Sequence, residues 1–311
     1  MSHVTFFCMT ATPFDHTGAI DEGAFRALLH RLIDARLGVY VGSGGSGEGH
    51  ALSHQELRRL YQIAVEECRG KVPVHANPPE QHTAPSTIAH ARLAVEAGIE
   101  VIHMYTLAGW HGMKPTDAEL IAYVDDVFKE IKHPIAFAMN HTMGYIPKPS
   151  LVARICKKHA QVVTVKLTGV PDTYQIALRD ELGDKMSFHV LVPASVTGLL
   201  LGADGVFGSE SNLMPQTYRR YLDSYEAGNF KDVADVYAQL RRCGDYVNKW
   251  GPSNPRWLKM AMKVLKLPGG EHGPRGPYLL PEQDELERFS AGLLKLGIPE
   301  INERARSVGL A

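Results

Sequence analysis

Cysteine is scarce in this chain and is never paired by spacing. The four residues, Cys8, Cys68, Cys156 and Cys243, stand far apart and form no Cys-x-x-Cys. That argues against a disulfide frame or a cysteine-rich zinc site and fits a reducing cytoplasm. A surplus of one charge is missing as well: 33 basic and 34 acidic residues leave a net charge of −1. Nothing therefore points to nucleic acid or an anionic membrane as partner, and a small molecule is expected instead. No window approaches the roughly 18 apolar residues of a membrane span. The apolar opening stretch, residues 1–14, has no basic segment ahead of it and reads as a first strand rather than a signal peptide. No Gly-x-Gly-x-x-Gly follows that strand, which weighs against a dinucleotide-binding fold.

What the chain does have is alternation. Its 311 residues, 44% of them hydrophobic, suffice for one barrel-sized domain. Short apolar runs at 5–9, 38–42, 72–76, 101–105, 135–139, 162–166, 188–192 and 205–207 read as strands. Helix-length stretches separate them, among them 21–35, 54–69, 87–97, 117–131 and 149–159. Ser53 followed by Glu56 has the spacing of a capping box, and Gly98 follows an alanine-rich helix as a stop. Eight strands alternating with helices predict an α/β fold with a parallel sheet, closed at this length into a (β/α)₈ TIM barrel. The last hundred residues are mostly helical, more than an eighth barrel helix requires. The expected division is a barrel over 1–227 and a C-terminal helical extension, 228–311, packed on it.

Catalytic residues of such barrels sit at the C-terminal ends of strands. The sixth run, Val162-Val163-Thr164-Val165-Lys166, closes on a lysine. Scarce water at the barrel mouth would penalise its ammonium and lower its pKa. A neutral amine there attacks a ketone and forms an iminium that serves as an electron sink. The plain alternative is a lysine that reaches solvent. After the second strand comes Gly42-Ser43-Gly44-Gly45-Ser46-Gly47-Glu48-Gly49. Its amides and a serine hydroxyl suit a carboxylate or phosphate, although a flexible connecting loop reads the same way. No Gly-Lys-Ser/Thr follows, so it is not a nucleotide-binding P-loop. The fifth strand runs into Asn140 and His141: the first can hydrogen-bond a substrate, the second can move protons or simply be solvated. Phe207 and Gly208 belong to a small-residue eighth strand whose backbone can approach a ligand. Fifteen histidines, with His75, His103, His141 and His189 near strand ends, raise a rival, a metal-dependent hydrolase. Such sites usually need a His-x-His pair, which this chain lacks.

Taken in order along almost the whole chain, these motifs resemble the dihydrodipicolinate synthase/N-acetylneuraminate lyase family of class I, Schiff-base aldolases. Thr12-Pro13-Phe14 with Gly18 and Asp21 is similar to the family's first strand–helix segment, and Gly45-Ser46-Gly47-Glu48 to its carboxylate-binding loop. Val163-Thr164-Val165-Lys166 resembles the Schiff-base strand. Gly202-Ala203-Asp204-Gly205-Val206-Phe207 with Asn212 and Pro215 is similar to the eighth-strand signature. Pro252, Pro255, the 259–267 helix and Arg275-Pro277 look like its tail. The resemblance implies that Lys166 forms the iminium and that Ser46, with the Gly45 and Gly47 amides, holds a 2-oxo acid carboxylate. It further implies that Phe207 and Gly208 line the pyruvyl pocket, that Glu48 braces the loop, and that a homotetramer works without metal or organic cofactor.

Departures qualify the expected activity. Met139 stands where the family commonly has a relay tyrosine, just before the fifth-strand asparagine. The aromatic pair after the fourth strand is replaced by Tyr105-Thr106-Leu107-Ala108-Gly109-Trp110-His111, and the segment after the seventh strand reads Leu191-Val192-Pro193-Ala194. Trp110 and Met139 are expected to make the pocket more apolar, with His141 or His111 supplying acid–base chemistry. The expectation is a lyase of aldolase or dehydratase type acting on a pyruvate-derived 2-oxo acid. A faint resemblance to the branch of hydratase-aldolases that cleave aryl-substituted pyruvates gives one alternative. A non-catalytic 2-oxo acid-binding member, suggested by Met139, is another.

Overall fold

The computed structural model describes residues 4–109, 111–251 and 255–310. Eight parallel strands close into one barrel in chain order: β1 (Thr5–Met9), β2 (Gly38–Val41), β3 (Val74–Ala76), β4 (Val101–Tyr105), β5 (Ile135–Asn140), β6 (Val162–Thr168), β7 (Ser187–Leu191) and β8 (Gly205–Gly208). Helices α1 (Glu22–Asp34), α2 (His54–Cys68), α3 (Ala84–Ala97), α4 (Asp117–Glu130), α5 (Pro149–Lys158), α6 (Asp172–Leu182), α7 (Ser195–Leu200) and α8 (Pro215–Glu226) follow the strands in turn. Beyond them lie α9 (Phe230–Val247), α10 (Pro255–Val264), α11 (Gln283–Lys295) and α12 (Pro299–Ser307). The architecture is the expected (β/α)₈ barrel with added C-terminal helices.

Local signals explain the boundaries. Ser53 and Glu56 exchange bonds as a full capping box, and Thr116 with Glu119 makes a second one. Gly98 ends α3 at φ +81°, where a side chain would be strained. β3 begins at Val74 rather than residue 72, because Pro73 has no N–H for the ladder. β6 does not end at Lys166. It continues through Leu167 and Thr168, which pair with Met139 and Asn140 of β5. The expected strand-end lysine is therefore a lysine two residues inside the strand.

Alternation along each strand sends one set of side chains outward and the other into the barrel. The outward set packs on the helices and includes Phe6, Val39, Ile102, Phe137, Met139, Val165 and Val206. The inward set is aromatic and polar. Phe7 stacks on Tyr40 at 4.5 Å, Tyr40 meets His103 at 4.1 Å edge-on, and Phe7 stacks on His189 at 4.9 Å. Gly205 is bare because a Cβ there would lie 2.2 Å from the His189 ring.

The C-terminal segments brace the mouth. Lys259 of α10 is fully buried, 3.7 Å from Glu48, and donates to the Thr12 carbonyl at 2.5 Å. The other Glu48 oxygen accepts the Arg275 N–H at 2.8 Å, while the Arg275 guanidinium holds the Gly18 and Ala51 carbonyls and Glu56. Burial raises Glu48, and burial lowers Lys259 to about 8 despite Glu48 beside it. Removing one member of such a pair leaves a buried charge without compensation, which costs about 3–5 kcal/mol. Lys259→Met is therefore expected to lower the urea midpoint strongly. Adding Glu48→Gln should recover part of the loss rather than deepen it, as a double-mutant cycle would measure.

Candidate active site

The C-terminal ends of the strands open into a cavity of about 530 Å³. Lys166 forms part of its wall, with its side chain 2% exposed. Its register partners, Ala138 of β5 and His189 of β7, lie at the same level of the barrel. Lys166 Nζ donates to the Tyr105 hydroxyl at 3.2 Å and to Asn77 Oδ1 at 3.4 Å, and Tyr105 donates to the same Asn77 oxygen at 2.9 Å. The rings of Phe207, Tyr40 and Tyr105 face the nitrogen at 4.7, 5.2 and 5.3 Å. Among the described residues Lys166 makes no salt bridge. Burial therefore lowers its pKa to about 7, and the Glu80 carboxylate is the charge that pulls it back up.

Beneath the lysine the barrel is plugged by neutral groups. His75 and His103 share a hydrogen bond at 3.2 Å, and the Tyr40 hydroxyl bonds His189. Burial, then the neighbouring Lys166 or imidazoles, holds His189 near 3 and the other two well below the usual histidine range. These three histidines thus line the barrel interior and leave the mouth. That corrects the picture of a strand-end histidine set suited to a metal hydrolase.

On the far side of the barrel from β6, the loop after β2 folds tightly on itself. Ser43 Oγ accepts the Gly47 N–H at 3.0 Å, the Ser43 carbonyl accepts the Gly49 N–H at 2.8 Å, and Thr12 Oγ1 donates to the Gly47 carbonyl at 2.6 Å. Gly45 and Ser46 face the cavity, and among the described residues no protein acceptor takes their amides. Ser46 Oγ meets Ser209 Oγ at 2.5 Å. Gly47 lies behind this wall with its amide already engaged.

The other residues picked out from sequence are distributed as follows. Phe207 lines the cavity, and Gly208 is buried just behind it, where a Cβ would come 2.9 Å from Val192. Asn140 reaches the cavity from the end of β5 and accepts the Thr142 N–H at 3.2 Å. His141 stands exposed on the rim, its ring laid over Gly169. Trp110 and Pro252 fall outside the described residues. Met139 faces the helices with no exposure, so it neither lines the pocket nor occupies a relay position. The inward β5 side chain level with Lys166 is Ala138, which leaves room for Tyr105 to reach across from β4. Met139 therefore gives no support to a non-catalytic member of the family.

Sequence reasoning passed over Asn77, Glu80, Tyr105 and Glu210, and the wall that Leu240, Arg241 and Trp257 supply from α9 and α10. The polar Asn77-Pro78-Pro79-Glu80 run directly after β3 was the available signal. Glu210 is bedded against Gly208 and Gly244, and burial raises its pKa.

With this geometry in hand, comparison with known proteins is direct. A sequence model of the dihydrodipicolinate synthetase family matches residues 4–295. A 4-hydroxy-tetrahydrodipicolinate synthase of Xanthomonas axonopodis pv. citri is 31% identical over 294 residues, covering 92% of this chain and 93% of that protein. One from Methanopyrus kandleri is 24% identical over 92% and 94% of the two chains. Among solved structures, YagE of E. coli K12, a prophage protein in complex with pyruvate, superposes with TM-score 0.85 at 20% identity, covering 94% of this chain and 98% of that one. The synthase of Methylacidiphilum fumariolicum SolV gives 0.84 at 20% identity over 98% of both.

The lysine's low pKa carries a stability consequence. Unfolded, Lys166 binds a proton up to about 10.5, whereas folded it gives the proton up near 7. Between those values the unfolded chain holds more protons, so this group's cost to the fold grows as pH falls from about 10.5 to 7. Lys166→Met is expected to stabilise the protein at pH 7 by on the order of 2–4 kcal/mol. In denaturant titrations the gain should shrink steadily as the pH rises toward 10.5. A gain independent of pH would assign the effect to packing instead.

Proposed function

The chain belongs to the dihydrodipicolinate synthetase family of class I aldolase-type lyases, and from that premise we propose that Lys166 forms a Schiff base with a pyruvate-like 2-oxo acid. One observation carries the reading: a buried lysine with no carboxylate partner among the described residues shares a cavity with a loop that offers a serine hydroxyl and two amides that none of those residues accepts. A lysine near pKa 7 is uncharged in about half the molecules at neutral pH, and the neutral amine attacks the ketone carbon.

Each neighbour then has a role in the proposal. Ser46 and the Gly45 and Ser46 amides receive the carboxylate, and Gly47 shapes the turn that presents them. Phe207, with Gly208 behind it, packs the pyruvyl carbons. Tyr105, held by Asn77, keeps the amine directed into the cavity. Asn140 contacts the substrate beyond the iminium, and His141 serves there as an acid–base group from the rim. The iminium draws electrons from the adjacent carbon, so cleavage, condensation or loss of water can follow. Lysine supplies both nucleophile and electron sink, and the chemistry proposed uses no metal or organic cofactor. The proposal also includes a cytoplasmic location, supported by four buried free cysteines, and a homotetramer, which rests on family resemblance. Light scattering tests the tetramer.

The alternative of an aryl-substituted pyruvate as substrate has a specific support. The cavity of about 530 Å³ far exceeds a pyruvyl group, and Leu191, Val192, Pro193, Leu240 and Trp257 give it one apolar side.

Borohydride reduction in the presence of pyruvate is the direct test. It should add one reduced pyruvyl group, located by peptide mass at Lys166, and Lys166→Ala should carry none. Ser46→Ala should raise the pyruvate concentration for half-maximal labelling several-fold. Absence of an adduct with any 2-oxo acid would sink the Schiff-base reading.

A further inference from the structure

The two sides of the cavity between Lys166 and the glycine loop differ in chemistry. On the β7–β8–β1 side the strand side chains are Leu191, Phe207 and Met9, none of which can take a proton, and the Glu210 carboxylate beyond β8 is wedged between Gly208 and Gly244. On the β3–β4–β5 side stand Asn77, Glu80, Tyr105 and Asn140. Of these, Asn77 and Asn140 do not titrate near neutrality, and burial pushes Tyr105 far above its ordinary value while its hydroxyl is donated to Asn77. β5 contributes only Ala138 at the level of the lysine.

Glu80 is different. Its carboxylate is half-buried on the cavity wall with no hydrogen-bond or ion-pair partner among the described residues. Its charge acts on both Lys166 and Tyr105. It also lies against the glycine loop, where a Cβ on Gly44 would come 2.8 Å from Glu80 Oε2. Two prolines precede it and fix their own φ. Gln81 then fastens the turn, donating to the Pro79 carbonyl at 2.9 Å and accepting from Ser86 Oγ at 2.5 Å. An unpaired carboxylate is therefore held in place between the carboxylate-binding loop and the amine.

We propose that Glu80 is the catalytic base that removes the proton from the carbon next to the Lys166 iminium. The inference rests on the Schiff-base reading above. The C3–H bond breaks and its proton goes to a Glu80 oxygen. The C–H electron pair becomes the C2–C3 double bond, and the C2–N π pair becomes the lone pair of the enamine nitrogen. Protonation at C3 by the Glu80 acid reverses each change, so the carboxylate is regenerated.

Pyruvate alone tests this, without knowledge of the second substrate. In D₂O the wild-type protein should exchange the methyl protons of pyruvate, followed by proton NMR. Glu80→Gln should slow that exchange by about 100-fold or more, the usual worth of a positioned acid–base group. It should still trap pyruvate at Lys166 on borohydride reduction, which shows that the iminium forms. Glu80→Asp should exchange at an intermediate rate. Wild-type exchange in Glu80→Gln would overturn the assignment. So would loss of trapping in both Glu80 variants, which would place the residue in iminium formation or folding. His141→Gln losing exchange while Glu80→Gln keeps it would move the role to the histidine. Failure of the wild-type protein to trap pyruvate would instead remove the Schiff-base reading itself.

Discussion

A lysine nitrogen enclosed by three aromatic rings, with only hydroxyl and amide oxygens to bond, is the constraint around which the barrel interior is organised. An ammonium in that position loses hydration and gains no compensating ion pair, so the enclosure favours the uncharged amine. The groups below it obey the same restriction. Three imidazoles and Tyr40 bond one another in pairs, with His103 Nδ1 left without a hydrogen-bond partner among the described residues, and burial keeps them neutral. A protonated histidine there would set a second cation under the first. The interior thus tolerates polar atoms only while they carry no charge.

Lys259 shows that burial alone does not produce this behaviour. It is at least as enclosed as Lys166, yet it stands 3.7 Å from the Glu48 carboxylate and bonds the Thr12 carbonyl. Its pKa falls less, to about 8 against about 7 for Lys166. The first lysine is a fastening that ties α10 to the glycine loop, and the second is held only by the uncharged Tyr105 and Asn77. Separate roles follow from whether a carboxylate was placed within reach. The fastening matters to the site, because Glu48 adjoins the turn that lines the same cavity as Lys166.

Much of this was legible in the residues. Runs of β-branched and aromatic residues marked the eight strands, and the Ser53–Glu56 spacing marked a helix start that the structure reproduces. The glycine loop and Lys166 were singled out because strand-end chemistry is where barrels keep their sites, and they line one cavity. What could not be read was the phase of each strand. Met139 and Ala138 are neighbours, and which one faces the pocket is decided by the phase of β5, in which Ala136 and Ala138 stand opposite Thr164 and Lys166. A slip of one residue exchanges the faces, so a relay position inferred by adjacency to Asn140 fell on the outer side. The same uncertainty hid the inward course of His75, His103 and His189. The wall built by Leu240, Arg241 and Trp257 was invisible for another reason. These residues come from helices beyond the eighth strand, and nothing local announces that they reach the mouth.

The cavity's two unlike sides limit what can happen to an intermediate held between them. A charge developing against the Leu191 and Phe207 side chains would meet apolar surface, with Glu210 set back against Gly208 and Gly244, whereas one developing toward Asn77, Glu80 and Tyr105 would meet donors and a carboxylate directly. In the proposed reaction, proton movement would fall at the Glu80 edge of the bound molecule and an apolar substituent at the other. Glu80 cannot stand closer to Lys166 as a true ion pair without holding the amine charged and unreactive. On the reading proposed above, its placement beside Gly44, near enough to be felt electrostatically but not bonded to the ammonium, would keep one carboxylate available as a base while leaving the nucleophile free of its proton.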